Sequence, residues 1–233
     1  MYFDIYYFIL IVPALIFSIW ASARVNSTFE RYSKTLSSRG VTGREAAEAV
    51  LRQNGIHDVR IEQVSGKLTD HYDPRTKVIR LSDSVYNSSS VAAIGVAAHE
   101  AGHAAQHNES YVPLTIRNAI IPVTNIGSKL AVPLIILGLF LSYYGEKFLA
   151  VAYIGVIAFS LSTLFQLLTL PTEFNASSRA IEAIVSGGIL DSNEIKGTKK
   201  VLSAAALTYV AALAVSLMQL LRLLIIVNNR RRR

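Results

Sequence analysis

Five consecutive residues near the middle of the chain have types and spacing suited to binding a metal and activating water. His99 and His103 are four positions apart, and Glu100 directly follows the first histidine. Residues at i and i+4 share one face of a helix, so both imidazoles can bind one Zn²⁺ at about 2.0 to 2.1 Å. A glutamate beside them that is not itself a ligand can accept the proton of metal-bound water. The pattern indicates metal-assisted hydrolysis, with Glu100 as the general base.

A catalytic zinc keeps three protein ligands and one open position, so a third ligand is needed. The chain has no cysteine, which leaves His, Glu or Asp. Glu173 is the favoured candidate because two apolar segments separate it from the motif, which returns it to the same side of a membrane. Its alternative role is an acid at a helix N-terminus, where the helix dipole favours negative charge. His107, four residues after His103, is a competing ligand that otherwise belongs beside the site or on the surface. We expect one Zn²⁺ per chain.

Hydrolysis of a peptide bond also needs a donor for the tetrahedral oxyanion. Arg179, His71 and Tyr72 are the candidates, since each is polar and lies near an element of the expected site. Two of them have simpler explanations: Arg179 could pair with Glu182 or meet a lipid phosphate, and His71 could simply end a strand. The sequence leaves this choice open.

The motif lies in a helix predicted over about 91–107. Serines 88–90 offer N-caps, and the near absence of charge before His99 indicates that the helix is buried on several sides. A second helix is predicted over 43–54, because Thr42 and Glu45 form a capping box at its start. Alternating residues predict strands over 59–64, 67–72 and 77–81 with a turn at 73–76, hence a small antiparallel sheet.

The composition argues against a purely soluble protein, because 52% of the 233 residues are hydrophobic and only 17% are charged. A membrane-spanning helix needs roughly 20 apolar residues. Four segments meet that requirement, at 5–23, 120–145, 148–170 and 201–221. Pro122, Asn125, Lys129 and Pro133 interrupt the second segment, so we expect it to begin as an interfacial or broken helix.

The first segment is expected to be an uncleaved anchor. Ala21, Ser22 and Ala23 resemble a cleavage site, but residues 1–4 carry one acid and neither Lys nor Arg, unlike the start of a signal peptide. Nine Lys and Arg residues flank the segments on one side and five on the other. The positive-inside rule therefore places 24–118 and 171–200 in the cytoplasm.

The net charge of +7 fits a membrane surface better than a nucleic acid. Residues 24–118 contain 12 Lys and Arg against 10 Asp and Glu, which leaves the polar part of the chain nearly balanced. The expected partners are the lipid bilayer and a peptide or membrane-associated protein substrate, with no nucleic acid.

These observations predict a mainly α membrane protein with about four transmembrane helices and a small α+β catalytic domain. The expected organisation is an N-terminal anchor, the catalytic domain, a transmembrane hairpin, a region carrying the third ligand, and a C-terminal transmembrane helix with a basic tail. Their boundaries are 1–23, 24–118, 119–170, 171–200 and 201–233.

Three stretches resemble bacterial YugP-type neutral zinc metallopeptidases: 68–74 (LTDHYDP), 97–106 (AAHEAGHAAQ) and 170–177 (LPTEFNAS). The resemblance extends over nearly the whole chain. It implies a zincin-like peptidase of the bacterial cell membrane, related at a distance to HtpX-like and prenyl-protein endopeptidases. In those relatives the third ligand is a Glu downstream of a transmembrane hairpin, the position that Glu173 occupies. They usually carry Asp four residues later, where Ser177 stands here.

The sequence thus predicts a zinc-dependent membrane endopeptidase. The alternative is a non-catalytic membrane scaffold in which the motif forms a structural zinc site. Metal removal would unfold or dissociate such a scaffold, which would cleave no peptide.

Overall fold

The computed structural model describes residues 4–231, so Arg232 and Arg233 of the expected basic tail lie outside the described residues. The chain divides into two compact units. The first unit consists of the described parts of Met1–Trp20, Ile116–Leu170 and Tyr209–Arg233, and the second of Ala21–Thr115 and Pro171–Thr208.

Six α-helices and three strands make up the described chain. A π-helical turn, Tyr7–Ile11, leads into the first α-helix, and a 3₁₀ turn, Glu146–Phe148, precedes the fifth. The helices are α1 (Val12–Tyr32), α2 (Gly43–Gln53), α3 (Val91–Asn108), α4 (Val112–Leu141), α5 (Leu149–Ser186) and α6 (Ser192–Arg231). The strands are β1 (Arg60–Val64), β2 (His71–Asp73) and β3 (Val78–Ser82).

Four helical stretches among the described residues are long and apolar enough to cross a membrane: Tyr7–Tyr32, Val112–Leu141, Glu146–Ser186 and Ser192–Arg230. They coincide with the four segments predicted from the sequence, and each extends beyond the apolar residues into polar sequence. The prediction of four membrane-spanning helices is therefore confirmed.

Two of these helices continue through proline residues where the sequence suggested a break. Helix α4 contains Pro122 and Pro133, and α5 contains Pro171. A proline removes one backbone hydrogen bond, yet membrane helices tolerate it because neighbouring helices and local adjustments satisfy the freed carbonyl. The expectation of a broken second segment was wrong, and Glu173 lies inside α5 rather than at a helix start.

In the first unit, small residues allow α4 and α5 to pack closely as an antiparallel hairpin. A Cβ added at Gly138 would lie 2.2 Å from the backbone nitrogen of Ala152, and one at Gly155 would lie 2.7 Å from the carbonyl oxygen of Ala131. Close backbone approach of this kind is the usual basis of helix association in a membrane.

The charge within the last apolar segment has a partner in the same unit. The guanidinium of Arg222 on α6 donates to the carboxylate of Asp4 at 2.7 Å. Arg222 is buried, and an unpaired charge among apolar helices would be costly, so this pair explains how the segment accommodates an arginine.

The second unit contains three strands at or near the predicted positions, but β2 covers only His71–Asp73 rather than 67–72, and the sheet is mixed rather than antiparallel. The strand order is β1-β3-β2, with β3 antiparallel to β2 and parallel to β1. Val78, Ile79 and Leu81 make β3 the most buried strand, and a strand buried on both faces belongs in the middle of a sheet. The connection at 65–70 is long enough to carry the chain from β1 across β3, so β3 enters between the other two strands.

The core of the second unit forms where α2, α3 and the sheet meet. Thr42 caps α2 as predicted, since its Oγ1 accepts from the Glu45 backbone N–H at 3.3 Å while its own N–H donates to the Glu45 carboxylate at 2.8 Å. Ala46, Val50 and Leu51 of α2 are buried in the cluster that also contains half of the residues of α3. The helix that carries the motif is therefore held on several sides.

Candidate metal centre

The motif helix α3 begins as the sequence predicts. Ser90 is its N-cap, and the Ser90 hydroxyl accepts from the backbone N–H of Ala93 at 3.2 Å. Alanines and glycines fill most of the following turns and are buried, which lets neighbouring elements approach the helix closely. His99, Glu100, His103 and the buried Gln106 are the polar side chains in an otherwise apolar helix interior.

His99 and His103 on α3 and Glu173 on α5 converge in the second unit. Oε2 of Glu173 lies 3.2 Å from Nε2 of His99 and 3.4 Å from Nε2 of His103. One nitrogen or oxygen atom from each of the three residues lies within 4.8 Å of the others. The imidazole side chains are 13% exposed and the Glu173 side chain 4%, so the cluster is largely shielded from water.

The distances from the Glu173 oxygen to the two imidazole nitrogens suit a tetrahedral zinc site. With ligand bonds of about 2.0 to 2.1 Å, two ligand atoms of a tetrahedron lie roughly 3.3 to 3.4 Å apart. The two nitrogen–oxygen separations, 3.2 and 3.4 Å, agree with that value. Two imidazoles and one carboxylate are also a ligand set of catalytic zinc sites that keep a position open.

The outer nitrogen of each imidazole has a hydrogen-bond partner, while the inner nitrogen faces Glu173. Nδ1 of His103 lies 3.0 Å from Oε1 of Gln106, and Nδ1 of His99 lies 3.1 Å from Oγ of Ser177. An amide oxygen only accepts, so Nδ1 of His103 carries a proton, and Nε2 is the nitrogen that the neutral ring would offer to a metal. Such contacts fix the tautomer and ring orientation of metal-binding histidines.

Gln106 is itself fixed by two further hydrogen bonds. Its Nε2 donates to the Thr172 carbonyl at 2.8 Å and to Oδ1 of Asn175 at 2.9 Å, and its side chain is fully buried. Because Nε2 donates twice, Oε1 must face His103. The amide therefore joins α3 to α5 directly behind the histidine.

A further polar chain begins at Asn175. Its Oδ1 also accepts from Nε of Arg179 at 2.8 Å. The two terminal nitrogens of Arg179 donate to the two carboxylate oxygens of Glu109 at 2.8 and 2.7 Å. This bidentate pair lies at the protein surface, because half of the Glu109 side chain is exposed.

Close packing of α3 on α5 depends on Gly102, the residue directly before His103. A Cβ added at Gly102 would lie 2.6 Å from the carbonyl oxygen of Ala176, which is fully buried. Glycine at this position therefore allows α5 to bring Glu173 within reach of both imidazoles.

The charges around the cluster favour a cation. Burial by itself would lower the pKa of His103, but the hydrogen bond with Glu173 and the negative charges of Glu100 and Glu173 outweigh it and raise that pKa. The pocket formed by the three residues is thus electronegative as well as shielded from water.

The remaining residues singled out from the sequence lie at different places. Glu100 is buried on α3 beside His99 and is not one of the three clustered residues. His107 is also outside that cluster, and its Nδ1 is hydrogen bonded to the Tyr72 hydroxyl at 2.8 Å. Burial raises the pKa of Tyr72 to about 12, which keeps this hydroxyl protonated. Nδ1 of His71 lies 2.9 Å from the Thr69 carbonyl at an exposed position.

Three residues that support the cluster were not assigned a role from the sequence: Gln106, Asn175 and Ser177. Gln106 follows His103 by three positions and Ser177 follows Glu173 by four, spacings that place each pair on one helix face. That spacing is the signal that could have identified them. All three stand within the stretches that carry the family resemblance.

Comparisons with known proteins agree with this geometry. A family model described as "Putative neutral zinc metallopeptidase" matches residues 7–228. A protein of Bacillus subtilis (strain 168) named "Putative membrane protease YugP" is 53% identical over 222 residues, which cover 95% of this chain and 96% of the relative. No solved structure matches the chain. Together with the four apolar helical stretches, the relative identifies the chain as an integral membrane protein.

Proposed function

This chain belongs to the neutral zinc metallopeptidase family that its residues 7–228 match, and on that basis we propose that it is a zinc-dependent membrane endopeptidase holding one Zn²⁺. The observation that carries the proposal is the convergence of two imidazole nitrogens and a carboxylate oxygen within 4.8 Å. We assign His99, His103 and Glu173 as the metal ligands.

In this proposal Glu100 is the general base. Zinc, when bound, supplies a Lewis acid for the scissile carbonyl and for the attacking water. The Glu100 carboxylate accepts the proton of that water and passes it to the amide nitrogen that leaves, so the proton moves within the site. The burial of Glu100, together with its place one residue after His99, supports this role.

The metal assignment is tested by zinc stoichiometry of the full-length protein in detergent, after dialysis against a weak chelator. We expect about one zinc per chain in the wild type and loss of zinc in His103→Ala and Glu173→Ala. His57→Ala is the matched control, because this histidine is exposed and should leave zinc binding unchanged. Zinc retained in Glu173→Ala would overturn its assignment and direct the search to His107 or His71.

The role of the base is tested with Glu100→Gln, which preserves the size of the side chain but removes the proton acceptor. The variant should retain zinc and lose peptide hydrolysis. Peptide hydrolysis by this variant would show that Glu100 is not the general base. A wild type that holds zinc, unfolds without it and cleaves no peptide would instead identify the non-catalytic scaffold.

For the substrate we propose an extended peptide segment of a membrane-associated protein, bound along the edge strand β2. In the strand order β1-β3-β2, one side of β2 carries no neighbouring strand, and Tyr72 of β2 contacts His107 one turn beyond His103. Peptides commonly bind by adding a strand to such an edge. Replacing a backbone N–H of a cleaved peptide by N-methyl at successive positions should raise KM where the edge pairs with the substrate.

Arg179, His71 and Tyr72 remain the candidates for the oxyanion donor. Tyr72 stays a proton donor at neutral pH, whereas Arg179 already donates to Asn175 and Glu109. Comparing kcat for Arg179→Gln, His71→Gln and Tyr72→Phe separates them. The donor should lose roughly 10²- to 10³-fold in kcat with zinc retained.

We propose that the second unit faces the cytoplasm, following the asymmetry of basic residues around the spans. A reporter fused near residue 60 should be accessible only from inside the cell. Access only from outside the cell would show that the second unit does not face the cytoplasm.

A further inference from the structure

The second unit contains a cavity of about 580 Å³ that is separate from the metal centre and lined by residues of α1 and α6. Its lining carries hydroxyl groups and four cationic side chains, and it includes no Asp or Glu among the described residues. The cationic residues are Arg24, Arg31, Lys199 and Lys200.

The positive charge of this cavity is not neutralised by the acids on the same helices. Glu30 of α1 pairs with Lys67 at 2.9 Å. Glu194 of α6 accepts backbone N–H groups from Ser38 at 2.7 Å and Asp191 at 2.8 Å. Within the described chain, Arg31, Lys199 and Lys200 form no ion pair with an acidic side chain. The cavity therefore presents an unbalanced positive field.

The cavity lies where two apolar segments end. Arg24 directly follows the apolar segment 5–23 in α1, and Lys200 directly precedes the apolar segment 201–221 in α6. Lipid headgroups are found at such borders, and basic pockets between transmembrane helices bind anionic headgroups. Ala204 and Leu207 add an apolar part to the lining on the α6 side.

We propose that this cavity binds the phosphate group of an anionic membrane phospholipid. The guanidinium groups can donate two parallel hydrogen bonds to a phosphate, and the lysines add point charges. The hydroxyls of Ser27, Thr28 and Ser203 supply further donors. A free phosphate would satisfy the charges but leave the half-buried apolar side chain of Leu207 uncovered, which favours a lipid as the source of the phosphate.

Occupation of this cavity would place a lipid beside the helix that carries the metal motif. Thr198 precedes Lys199 on α6, and its hydroxyl donates to the carbonyl of Val91, the first residue of α3, at 3.3 Å. The ligand would thus act on the second unit as a binding partner distinct from the peptide substrate.

Native mass spectrometry of the full-length chain in a neutral detergent, titrated with phosphatidylglycerol or phosphatidylcholine, tests the proposal. Phosphatidylglycerol should bind the wild type more tightly, with one molecule per chain. Arg31→Gln/Lys200→Gln removes one cation from each helix and should weaken that binding about 30-fold, taking the usual contribution of each basic residue near a lipid surface. Unchanged zinc content and Tm verify that this variant is folded.

Lys34→Gln/Lys196→Gln is the matched control, because it removes the same charge from the same two regions outside the cavity. This variant should bind phosphatidylglycerol like the wild type. Ser203→Phe keeps every charge but fills the cavity, and it should also lose the lipid.

Three results would overturn the proposal. Equal affinity for the two lipids would show that the cavity does not select a headgroup with a net negative charge. Equal loss in both double variants would attribute binding to overall charge. Full displacement of phosphatidylglycerol by millimolar inorganic phosphate, with phosphate binding as tightly as the lipid, would identify a free phosphate as the ligand.

Discussion

Oε1 of Gln106 lies 3.0 Å from Nδ1 of His103 and accepts a hydrogen bond from it, so the amide holds the ring with Nε2 toward Glu173. Gln106 is fully buried and also hydrogen bonded to α5. One side chain therefore orients a histidine and joins the two helices that carry the proposed metal ligands.

Replacing Gln106 by Leu should weaken zinc binding, because His103 then loses the group that fixes its tautomer. Loss of such a supporting contact typically costs 10- to 100-fold in metal affinity. Zinc retention during a chelator titration measures the effect. Gln63→Leu is the control, since Gln63 is exposed on β1. Unchanged retention in a folded Gln106→Leu variant would contradict the assignment.

Ser177 offers a graded test at the other histidine. Ser177→Ala removes the partner of Nδ1 of His99 and should weaken zinc binding by roughly tenfold, the lower end of the usual range. Ser177→Asp supplies a carboxylate, which orients a metal-binding imidazole and raises its basicity. We expect Asp to retain zinc at least as well as Ser in the same chelator titration. Weaker retention by Ser177→Asp than by Ser177→Ala would show that this contact does not support the metal.

Gly102→Ala should lower both Tm and zinc retention. Alanine in a helix interior normally stabilises a protein relative to glycine by about 1 kcal/mol. Here we expect the opposite effect, a loss of stability. The reason is the 2.6 Å separation between the new Cβ and the Ala176 carbonyl, which forces α3 away from α5. An increase in Tm with zinc retained would refute the close approach described here.

The pair between Glu109 and Arg179 predicts a pH-dependent stability. The Arg179 guanidinium holds the pKa of Glu109 below its usual range, so the stabilisation is present above the unfolded pKa of about 4.3 and is lost as pH falls through the lower folded value. Because Glu109 is half exposed, the pair should contribute about 0.5 to 1 kcal/mol.

Tm of the wild type and Glu109→Gln, measured from neutral to acidic pH, tests this expectation. The difference should shrink as the pH falls, and adding Arg179→Gln should cost little more at neutral pH. A difference that is the same at every pH would exclude the ion pair as its cause.

Much of this organisation could be predicted from the sequence. Uninterrupted apolar runs predict the four spans, the capping box at Thr42 predicts α2, and the family matches confirm the resemblance drawn from the motif stretches. These features follow from local patterns, since each depends on residues close together in the chain.

The remainder depends on tertiary contacts. Pro171 resembles a helix boundary in sequence, but α5 continues through it because a helix in a bundle does not depend on one hydrogen bond. The place of β3 between its neighbours follows from its burial, and alternation alone does not reveal that. The bond between Gln106 and Thr172 joins residues 66 positions apart, beyond the reach of a local pattern.

The wide separation of the clustered residues along the chain has a consequence for biosynthesis. Glu173 follows His103 by 70 residues, and both membrane segments of the α4–α5 hairpin lie between them. At about 5 to 20 residues per second, a ribosome adds the acid roughly 4 to 14 seconds after the second histidine. During that interval the nascent chain has the two imidazoles and Glu100 but lacks the Glu173 carboxylate that completes the cluster. The order of synthesis thus leaves the proposed metal site incomplete until its membrane hairpin has been made.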